Sequence, residues 1–270
     1  MSTPAQIWDH RTLLVNLVRR DLKSKYKKSV LGWTWSLVSP AATLGVYTLV
    51  FGVFLNGRAP VAGNGHLSNF AMYLFAGLVA WNAFSSMYTS ALGSFAASGP
   101  LLTKIYFPPE CPAIAACAGV LIQTSIESVI LIGILAILGN VGWTALLVVF
   151  VVAQITCLSL GLGLVASLLN VQFRDVSYLS AIALQILFYA TPIVYRLDIV
   201  PKRVWGWVPI RAILQANPTT QYVTEYRSLV YDLRLPSLAT VSYATAVSVV
   251  ALVLGWRFFA ARAPFVIEEL

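Results

Sequence analysis

The chain has very few charged residues for its length. Only 10% of its 270 residues are Asp, Glu, Lys or Arg, whereas about 25% are charged in an ordinary soluble domain. Hydrophobic residues make up 59% of the sequence. Because so few charged side chains cannot cover a folded surface in water, this balance excludes a soluble enzyme, a disordered protein and a small disulfide scaffold. The composition predicts an integral membrane protein with several spans.

The sequence also lacks the motifs of a nucleotide-binding or catalytic site. No Gly-x-x-x-x-Gly-Lys-Ser/Thr motif occurs, so the chain is not expected to bind ATP phosphates. Its 2 histidines and 3 cysteines have neither metal-ligand nor redox spacing. We therefore expect no catalytic residue, metal or cofactor on this chain, and no nucleic acid partner. A glycan-transfer enzyme is disfavoured too, because Asp198, Glu225 and Asp232 are widely spaced and separated by basic residues.

Long stretches without any charged residue mark the predicted spans. These stretches are 29–57, 59–103, 111–126, 128–173, 176–195 and 235–256. A membrane-spanning helix needs about 20 mostly apolar residues, and polar breaks at 63–66 and 139–142 subdivide the sequence further. Their length and lack of alternation favour helices over strands. The sequence predicts an all-α membrane protein with six spans at 37–57, 70–92, 113–138, 143–168, 177–195 and 238–258.

The segment before the first span is strongly basic. This charge predicts a cytoplasmic N-terminus, and six spans return the C-terminus to the same side of the cell membrane. On a helical wheel the apolar residues Leu14, Leu17, Val18 and Leu22 share one face, and the other face carries Arg19, Arg20, Lys23 and Lys27. This pattern is typical of an amphipathic helix on the inner membrane surface. The helix either anchors the chain to lipid or packs on a cytoplasmic partner, and both roles are compatible.

No long linker, low-complexity tract or repeat divides the chain, and no cleavable signal peptide is recognisable. We therefore expect one domain over 1–270. It comprises the interface helix within 1–32, the six-span bundle over 37–258 and a cytoplasmic tail over 259–270.

Two connecting segments are more than simple loops. In the inner loop at 94–112, Gly99-Pro100 and Pro108-Pro109 are predicted to end helices. The apolar residues between them need cover from the rest of this protein, from lipid or from a second subunit. The length of the segment favours a short helix that docks into a partner's cleft. The outer segment 196–237 is long and aromatic, and it predicts two short re-entrant helices at 202–215 and 219–232.

One acidic residue lies well inside a predicted span. Glu127 follows Gln123 by four residues and shares its helix face. An intramembrane carboxylate often marks a functional site, so one alternative is an ATP-independent carrier or channel that binds a proton or cation at Glu127. The other interpretation is a hydrogen bond to a polar neighbour. One carboxylate supports no relay across the membrane, and we expect the energy for transport to come from elsewhere.

Aromatic residues are frequent in or near the spans. They include Trp35, Tyr47, Phe188, Tyr189 and Tyr195. The usual explanation is an interfacial belt, which we expect first of all for Trp33, Trp81 and Trp143. The alternative is an aromatic passage for a sugar chain, since the apolar faces of sugar rings stack on aromatic side chains while their hydroxyls stay hydrated.

Several short motifs follow one another along the chain. They are 20–23 (RDLK), 26–33 (YKKSVLGW), 75–78 (FAGL), 81–84 (WNAF), 101–108 (LLTKIYFP), 174–175 (RD), 188–195 (FYATPIVY), 217–218 (NP) and 226–227 (YR). With these motifs, over nearly its whole length, the chain resembles the membrane subunit of a type-2 ABC exporter. The resemblance is to the branch that exports lipid-linked polysaccharides such as O-antigen, teichoic acid and galactan. Within that branch the chain is most similar to mycobacterial and actinobacterial galactan exporters.

The resemblance implies a partner arrangement and a set of site residues. It implies a homodimer of six-span protomers with two copies of a separate ATP-binding subunit, which holds ATP and Mg. The substrate would be a polyprenyl-diphosphate-linked glycan, moved along spans one and five past the aromatic residues named above. Movement of the ATPase would be received by the N-terminal helix and by Leu101, Leu102, Lys104, Ile105, Tyr106 and Phe107, with a second contact at Arg174 and Asp175. The outer gate would comprise Trp205, Trp207, Tyr222, Tyr226 and Arg227.

Overall fold

The computed structural model of the chain describes residues 4–26, 34–54, 59–102, 105, 107–205 and 207–268. Over these residues the chain folds into helices joined by loops, and a single β-bridge joins Val204 and Val208. The α-helices are α1 Pro4–Asp9, α2 Arg11–Tyr26, α3 Trp35–Tyr47, α4 Phe70–Leu102, α5 Cys111–Ile137, α6 Val148–Gln172, α7 Val176–Tyr189, α8 Ile210–Ala216, α9 Pro218–Val230 and α10 Leu238–Glu268. A π-helical segment, Thr48–Phe54, continues α3, and 3₁₀ turns occupy Trp143–Leu147 and Leu197–Ile199.

Four helices in the described part of the chain are long and apolar enough to cross a membrane. They are Phe70–Leu101, Cys111–Ile137, Trp143–Gln172 and Leu238–Val266. Two shorter apolar helices, Pro40–Phe54 and Val176–Tyr189, occupy the predicted first and fifth spans. The 14 residues of α7 extend about 21 Å, less than the hydrocarbon thickness of about 30 Å. An all-helical membrane protein is therefore confirmed, and the count of six spans stays a prediction.

The buried centre of the molecule is α4. Its core residues, among them Leu74, Val79 and Met87, pack against α5, α6 and α9. Helices α4 and α6 run in the same direction, because Ser159 bonds the carbonyl of Phe84 at 3.2 Å and Gly163 faces Ala91 further along. The bundle therefore has an α2 end, where α4 and α6 terminate, and a far end, where they begin.

The bounds of three elements differ from those that the sequence predicts. Helix α4 continues through Pro100 to Leu102, so the prediction that Gly99-Pro100 ends an element is wrong. A proline so near a helix end removes one backbone hydrogen bond, and the carbonyl that loses it belongs to the exposed Ala96. Helix α10 continues to Glu268, through the predicted tail, and Phe259 of that extension packs edge-on to Phe95 at 5.5 Å.

In place of the helix predicted at 202–215, the structure has α8, which is half as long. Helix α8 begins at Ile210, because the bridge between Val204 and Val208 closes a tight turn in which Trp205 has a φ of 53°. The second predicted helix of this segment corresponds to α9.

Candidate functional site

At the α2 end, the N-terminal helix packs onto the protein itself. Leu17 of α2 is buried in a small apolar cluster with Phe107, Cys111 and Ala115. Leu13, Leu14, Val18 and Leu101 surround this cluster. The predicted basic face is accessible, since Arg19, Arg20 and Lys23 are exposed. Arg20 also pairs with the neighbouring Asp21 at 3.1 Å. Helix α2 therefore covers part of the apolar loop that follows α4.

The predicted coupling residues have different surroundings. Phe107 is 4% exposed beneath α2, whereas Ile105 is 53% exposed. Leu101 borders the same cluster as Phe107. Lys27, Lys104, Tyr106 and the side chain of Leu102 lie outside the described residues. Of the described residues, Ile105 is the apolar side chain in this segment that is most available to a partner.

Arg174 and Asp175 form the exposed turn between α6 and α7. Among the described residues neither joins an ion pair, and the Asp175 side chain does not cap α7. Arg174 borders a cavity that also contacts Ala96 of α4. The turn therefore lies at the α2 end, with both charges free to meet another protein.

An aromatic cluster joins three helices. Phe188 of α7 stacks on Tyr47 of α3, with centroids 6.0 Å apart, and contacts the edge of Trp81 of α4 at 5.5 Å. Tyr189 packs against Phe188 at 5.4 Å, and the Tyr195 hydroxyl donates to the Tyr189 carbonyl at 3.0 Å. Four of the five residues predicted for the glycan passage therefore come together.

Trp35 does not join this cluster. It begins α3, twelve residues and about 18 Å before Tyr47. Trp81 joins the cluster instead, although the sequence places it in the interfacial belt. Its ring contacts Phe188 and Phe84, and this position depends on packing between α4 and α7, which spacing alone does not reveal.

The faces of α3 and α7 are poorly covered within one chain. No residue of α7 is buried, and Tyr178, Leu179, Ile182, Ile186 and Tyr189 are exposed. The π-helical segment after α3 has no buried residue either, and Val46, Leu49, Val53 and Phe54 are exposed. The aromatic cluster therefore borders the least packed part of the bundle.

At the far end, α9 is anchored by buried polar contacts. The Tyr226 hydroxyl donates to Ser128 of α5 at 2.8 Å, and the Tyr222 hydroxyl lies 2.6 Å from Ser248 of α10. Tyr222 and Tyr226 are buried, whereas Trp205 and Trp207 are exposed. The predicted gate residues thus divide into anchors of α9 and exposed side chains of the neighbouring loop.

Arg227 is buried without a carboxylate partner within ion-pair distance among the described residues. Its guanidinium lies 3.9 Å from the centre of the Tyr73 ring. It donates to the carbonyls of Tyr73 at 3.1 Å, Pro192 at 2.7 Å and Ile193. Pro192 and Ile193 follow α7, and Tyr73 lies in the first turn of α4. Arg227 therefore fixes α9 to both elements. A Cβ on Gly77 would lie 2.9 Å from the central carbon of the guanidinium, so a side chain there would displace the guanidinium from its carbonyls.

Two loops that the sequence marks only as breaks cap the C-terminal end of α9. Asn140 donates to the Tyr231 carbonyl at 3.0 Å and accepts from the Asn64 backbone at 3.1 Å. Thr144 donates to the Leu229 carbonyl at 2.6 Å. These bonds satisfy carbonyls that a helix end leaves unpaired.

Arg227 also lines a polar cavity of about 400 Å³ at this end. Arg196, Asp198, Asp232 and Arg234 line it as well. Arg196 pairs with Asp198 at 2.7 Å. Burial raises the pKa of Asp232, and the three arginines around it oppose that rise.

The membrane-embedded Glu127 is 4% exposed. Its Oε1 accepts a hydrogen bond from Gln123 at 3.0 Å, as expected for residues one turn apart. Within the described residues no group of histidines, cysteines and acidic residues has the arrangement of a metal site.

Residues 12–231 match the family described as ABC-2 type transporter. This match covers well over half of the chain. The chain belongs to the ABC-2 type transporter family. It is 28% identical over 263 residues to the O-antigen export system permease protein RfbA of Myxococcus xanthus, covering 95% of each chain. It is 26% identical over 220 residues to the RfbA protein of Klebsiella pneumoniae, covering 80% of this chain and 79% of that one. It is 23% identical over 251 residues to the polysialic acid transport protein KpsM of Escherichia coli, covering 91% and 92%.

Membership of the ABC-2 family accounts for the absence of a P-loop. An ABC-2 permease is the transport subunit, and ATP is bound by a separate partner subunit. The apolar helices of this permease agree with a multi-pass membrane protein. An energy source outside this chain makes the carrier alternative at Glu127 unnecessary.

Proposed function

We propose that this permease exports a polyprenyl-diphosphate-linked polysaccharide across the cytoplasmic membrane, and that the polysaccharide is a cell-wall galactan. Two copies form the membrane part of the complex, and two copies of an ATP-binding subunit drive it. Both termini of the permease lie in the cytoplasm, so the α2 end faces the ATPase and the far end faces outward.

The observation that carries this proposal is the aromatic cluster at Tyr47, Phe188 and Trp81. It lies between α3 and α7, the two helices with open faces. A second copy facing these helices encloses a passage with aromatic walls. Such walls suit a sugar chain, because ring faces stack while hydroxyls keep contact with water. The relatives named above export O-antigen and transport polysialic acid, and both substrates are polysaccharides.

The exposed residues at the α2 end support coupling to an ATPase. Ile105, Arg174 and Asp175 offer one apolar and two charged contacts at this end. When ATP closes the partner subunits, their movement pushes this surface and α2. The two protomers then tilt apart and open the passage. At the far end, the loop around Trp205 and Trp207 closes the mouth.

Depletion of the permease in its own cells tests the exported substrate. Lipid-linked glycan is extracted from the cytoplasmic side of the membrane, and its sugars are identified. We expect galactose-rich lipid-linked glycan to accumulate inside. Another accumulated glycan contradicts the galactan assignment, and unchanged glycan distribution contradicts export itself.

Co-purification of the tagged permease with its ATP-binding subunit, with subunit ratios from native mass spectrometry, tests the two-plus-two assembly.

A further inference from the structure

A third cavity lies between α3, α4 and α5, next to the aromatic cluster. Its volume is about 210 Å³, about seven times the volume of a water molecule in the liquid. Six of its eight lining residues are polar: Thr43, Asn82, Ser86, Gln123, Thr124 and Glu127. The other two are Pro40 and Val120. The space is therefore larger than a single structural water needs, and its wall suits a strongly hydrogen-bonding occupant.

The cavity lies deep within the predicted spans. Glu127 is sixteen residues from the start of α5 and ten from its end, which places it about 24 Å and 15 Å from the two ends. Polar side chains at this depth are costly unless they have hydrogen-bond partners. Six of them lining one space suit a polar occupant, in addition to the hydrogen bonds that they make within the protein.

The cavity lies next to the aromatic cluster along α3. Pro40 and Thr43 line the cavity, and Tyr47, which stacks on Phe188, is one turn beyond Thr43. Residues at these spacings share one face of a helix. On α4, Asn82 lines the cavity and is adjacent in sequence to Trp81, whose ring contacts Phe188. The cavity and the aromatic cluster are therefore neighbours along α3 and α4.

The cavity also has an opening. Thr43 and Ser86 are exposed, whereas Thr124 and Glu127 are buried. The opening is thus between α3 and α4, and the carboxylate lies at the inner wall. Thr, Ser, Asn and Gln both donate and accept hydrogen bonds, and a carboxylate accepts several. Sugar hydroxyls are matched donors and acceptors for this set.

We propose that this cavity, lined by Thr43, Asn82 and Glu127, binds the hydroxyls of one sugar residue of the glycan while the neighbouring rings stack on its face. The proposal rests on the proposed function and names the sugar-binding site within the passage. Glu127 and Asn82 are the residues that recognise the sugar, and the aromatic side chains supply contact without hydroxyl recognition.

The test uses the complete complex with its ATP-binding subunit in lipid nanodiscs. Two probes are compared: polyprenyl diphosphate carrying a galactose tetrasaccharide, and the same lipid diphosphate without sugar. The measurement is the probe concentration that half-maximally stimulates ATP hydrolysis. With the wild type, we expect the glycosylated probe to reach half-maximal stimulation at a lower concentration than the probe without sugar. For Glu127→Ala and Asn82→Ala we expect this advantage to fall by about tenfold or more, the effect of losing one or two hydrogen bonds to a charged or amide group.

Ser125→Ala is the matched control. Ser125 lies on α5, is exposed, and donates to the Leu121 carbonyl of its own helix. It is expected to keep the advantage of the glycosylated probe. A wild type that prefers the glycosylated probe, together with variants that prefer it equally, would overturn the sugar site and leave the exporter proposal intact. A wild type that does not distinguish the probes would overturn both.

Thiol protection gives a second readout that does not depend on a large change in the cavity wall. Ser86→Cys places a thiol at the opening, and Ser125→Cys places one on the exposed face of α5. Both are labelled with a small methanethiosulfonate reagent. We expect the tetrasaccharide probe to slow labelling at position 86 at least about threefold and to leave position 125 unchanged. Equal labelling rates with and without the probe at position 86 would contradict binding in the cavity.

Discussion

At the scale of single residues, Arg227 and Gly77 depend on each other. The guanidinium is buried against Tyr73 and donates to three backbone carbonyls. These bonds prevent it from moving aside, although it ends a long side chain. Space for it exists because residue 77 has no side chain. Arg227 thus acts as a positioning residue that holds α9 to α4 and to the segment after α7.

Substitution Gly77→Ala tests this dependence. The added methyl overlaps the guanidinium, so we expect a loss of about 1–3 kcal/mol in the free energy of unfolding. Gly93→Ala is the control, since it lies on the same helix and its Cβ would have no atom within 4 Å. Thermal unfolding in detergent compares the two variants. Equal melting temperatures would contradict the steric role of Gly77.

Phe188 is the residue through which the aromatic cluster is joined. It contacts Tyr47, Trp81 and Tyr189. We expect Phe188→Ala to lower glycan export about tenfold, because a stacking contact of about 1.4 kcal/mol corresponds to a factor of ten in rate. Phe188→Tyr keeps the ring and is expected to retain most export. Radiolabelled glycan at the cell surface measures both, and full export by Phe188→Ala would exclude a role in the passage.

The sequence predicts some of these residues and not others. Aromatic composition is enough to propose Tyr47, Phe188, Tyr189 and Tyr195, since they occur near the ends of two apolar stretches. The role of Gly77 is invisible in sequence, because it requires knowing that Arg227, far along the chain, packs against it. Trp81 is misassigned for the same reason. Interfacial and packed tryptophans look alike until the neighbouring helices are in place.

At the scale of helices, the backbones of α6 and α10 approach each other closely at Gly161 and Gly255. A Cβ on Gly161 would lie 2.6 Å from the backbone nitrogen of Leu252, and a Cβ on Gly255 would lie 2.9 Å from the Cα of Gly161. Close backbone contact of this kind is typical of membrane helices with small residues at their interface. The crossing therefore tolerates no side chain on either residue.

Gly161→Ala is expected to force α6 and α10 apart. The clash is with backbone and cannot be relieved by a rotamer change, so we expect a loss of about 3 kcal/mol in unfolding free energy. Gly133→Ala on α5 is the control, because no atom lies within 4 Å of its added carbon. The yield of monodisperse protein and its melting temperature are the measurements. A Gly161→Ala protein as stable as Gly133→Ala would show that the two helices separate easily.

The sequence groups Phe107 and Ile105 as coupling residues, but their surroundings in the structure differ. Phe107 is buried beneath α2, and Ile105 is exposed. We expect Phe107→Ala to cost about 3 kcal/mol of stability. We expect Ile105→Asp to leave the fold intact and to uncouple ATP hydrolysis from export.

The control for coupling is Ile199→Asp, which changes an exposed residue at the far end. ATPase activity and glycan export are measured together in membranes that contain the ATP-binding subunit. Normal export by Ile105→Asp would place the coupling contact elsewhere, for example at Arg174 and Asp175.

The sequence predicts the long helices better than the short ones. Gaps between charged residues are direct signs of α4, α6 and the first part of α10, because a span excludes most charged residues. Helix α5 contains Glu127, so its continuity is not visible from the gaps alone. The end of α7 at Tyr189 and the start of α8 at Ile210 depend on Pro192, Pro209 and the turn at Trp205. A proline indicates that a helix ends nearby, but it does not fix the residue at which the helix ends.

At the scale of the whole molecule, the two ends of the bundle differ in character. The α2 end carries exposed basic residues of α2 and the free turn at Arg174 and Asp175. The far end is held together by Arg227, Asn140 and the buried tyrosines of α9. The middle contains the aromatic cluster and the polar cavity beside it. This division fits a protein that receives movement at one end and passes a glycan through its centre.

The most direct test is ATP-driven movement of glycan by the reconstituted complex. Proteoliposomes with outward-facing ATP-binding subunits receive polyprenyl diphosphate tetragalactoside in the outer leaflet. Galactosidase added outside then measures how much glycan remains accessible. The account predicts that ATP, but not ADP, makes the glycan inaccessible over time. Full accessibility despite active ATP hydrolysis, or movement without the ATP-binding subunit, would contradict it.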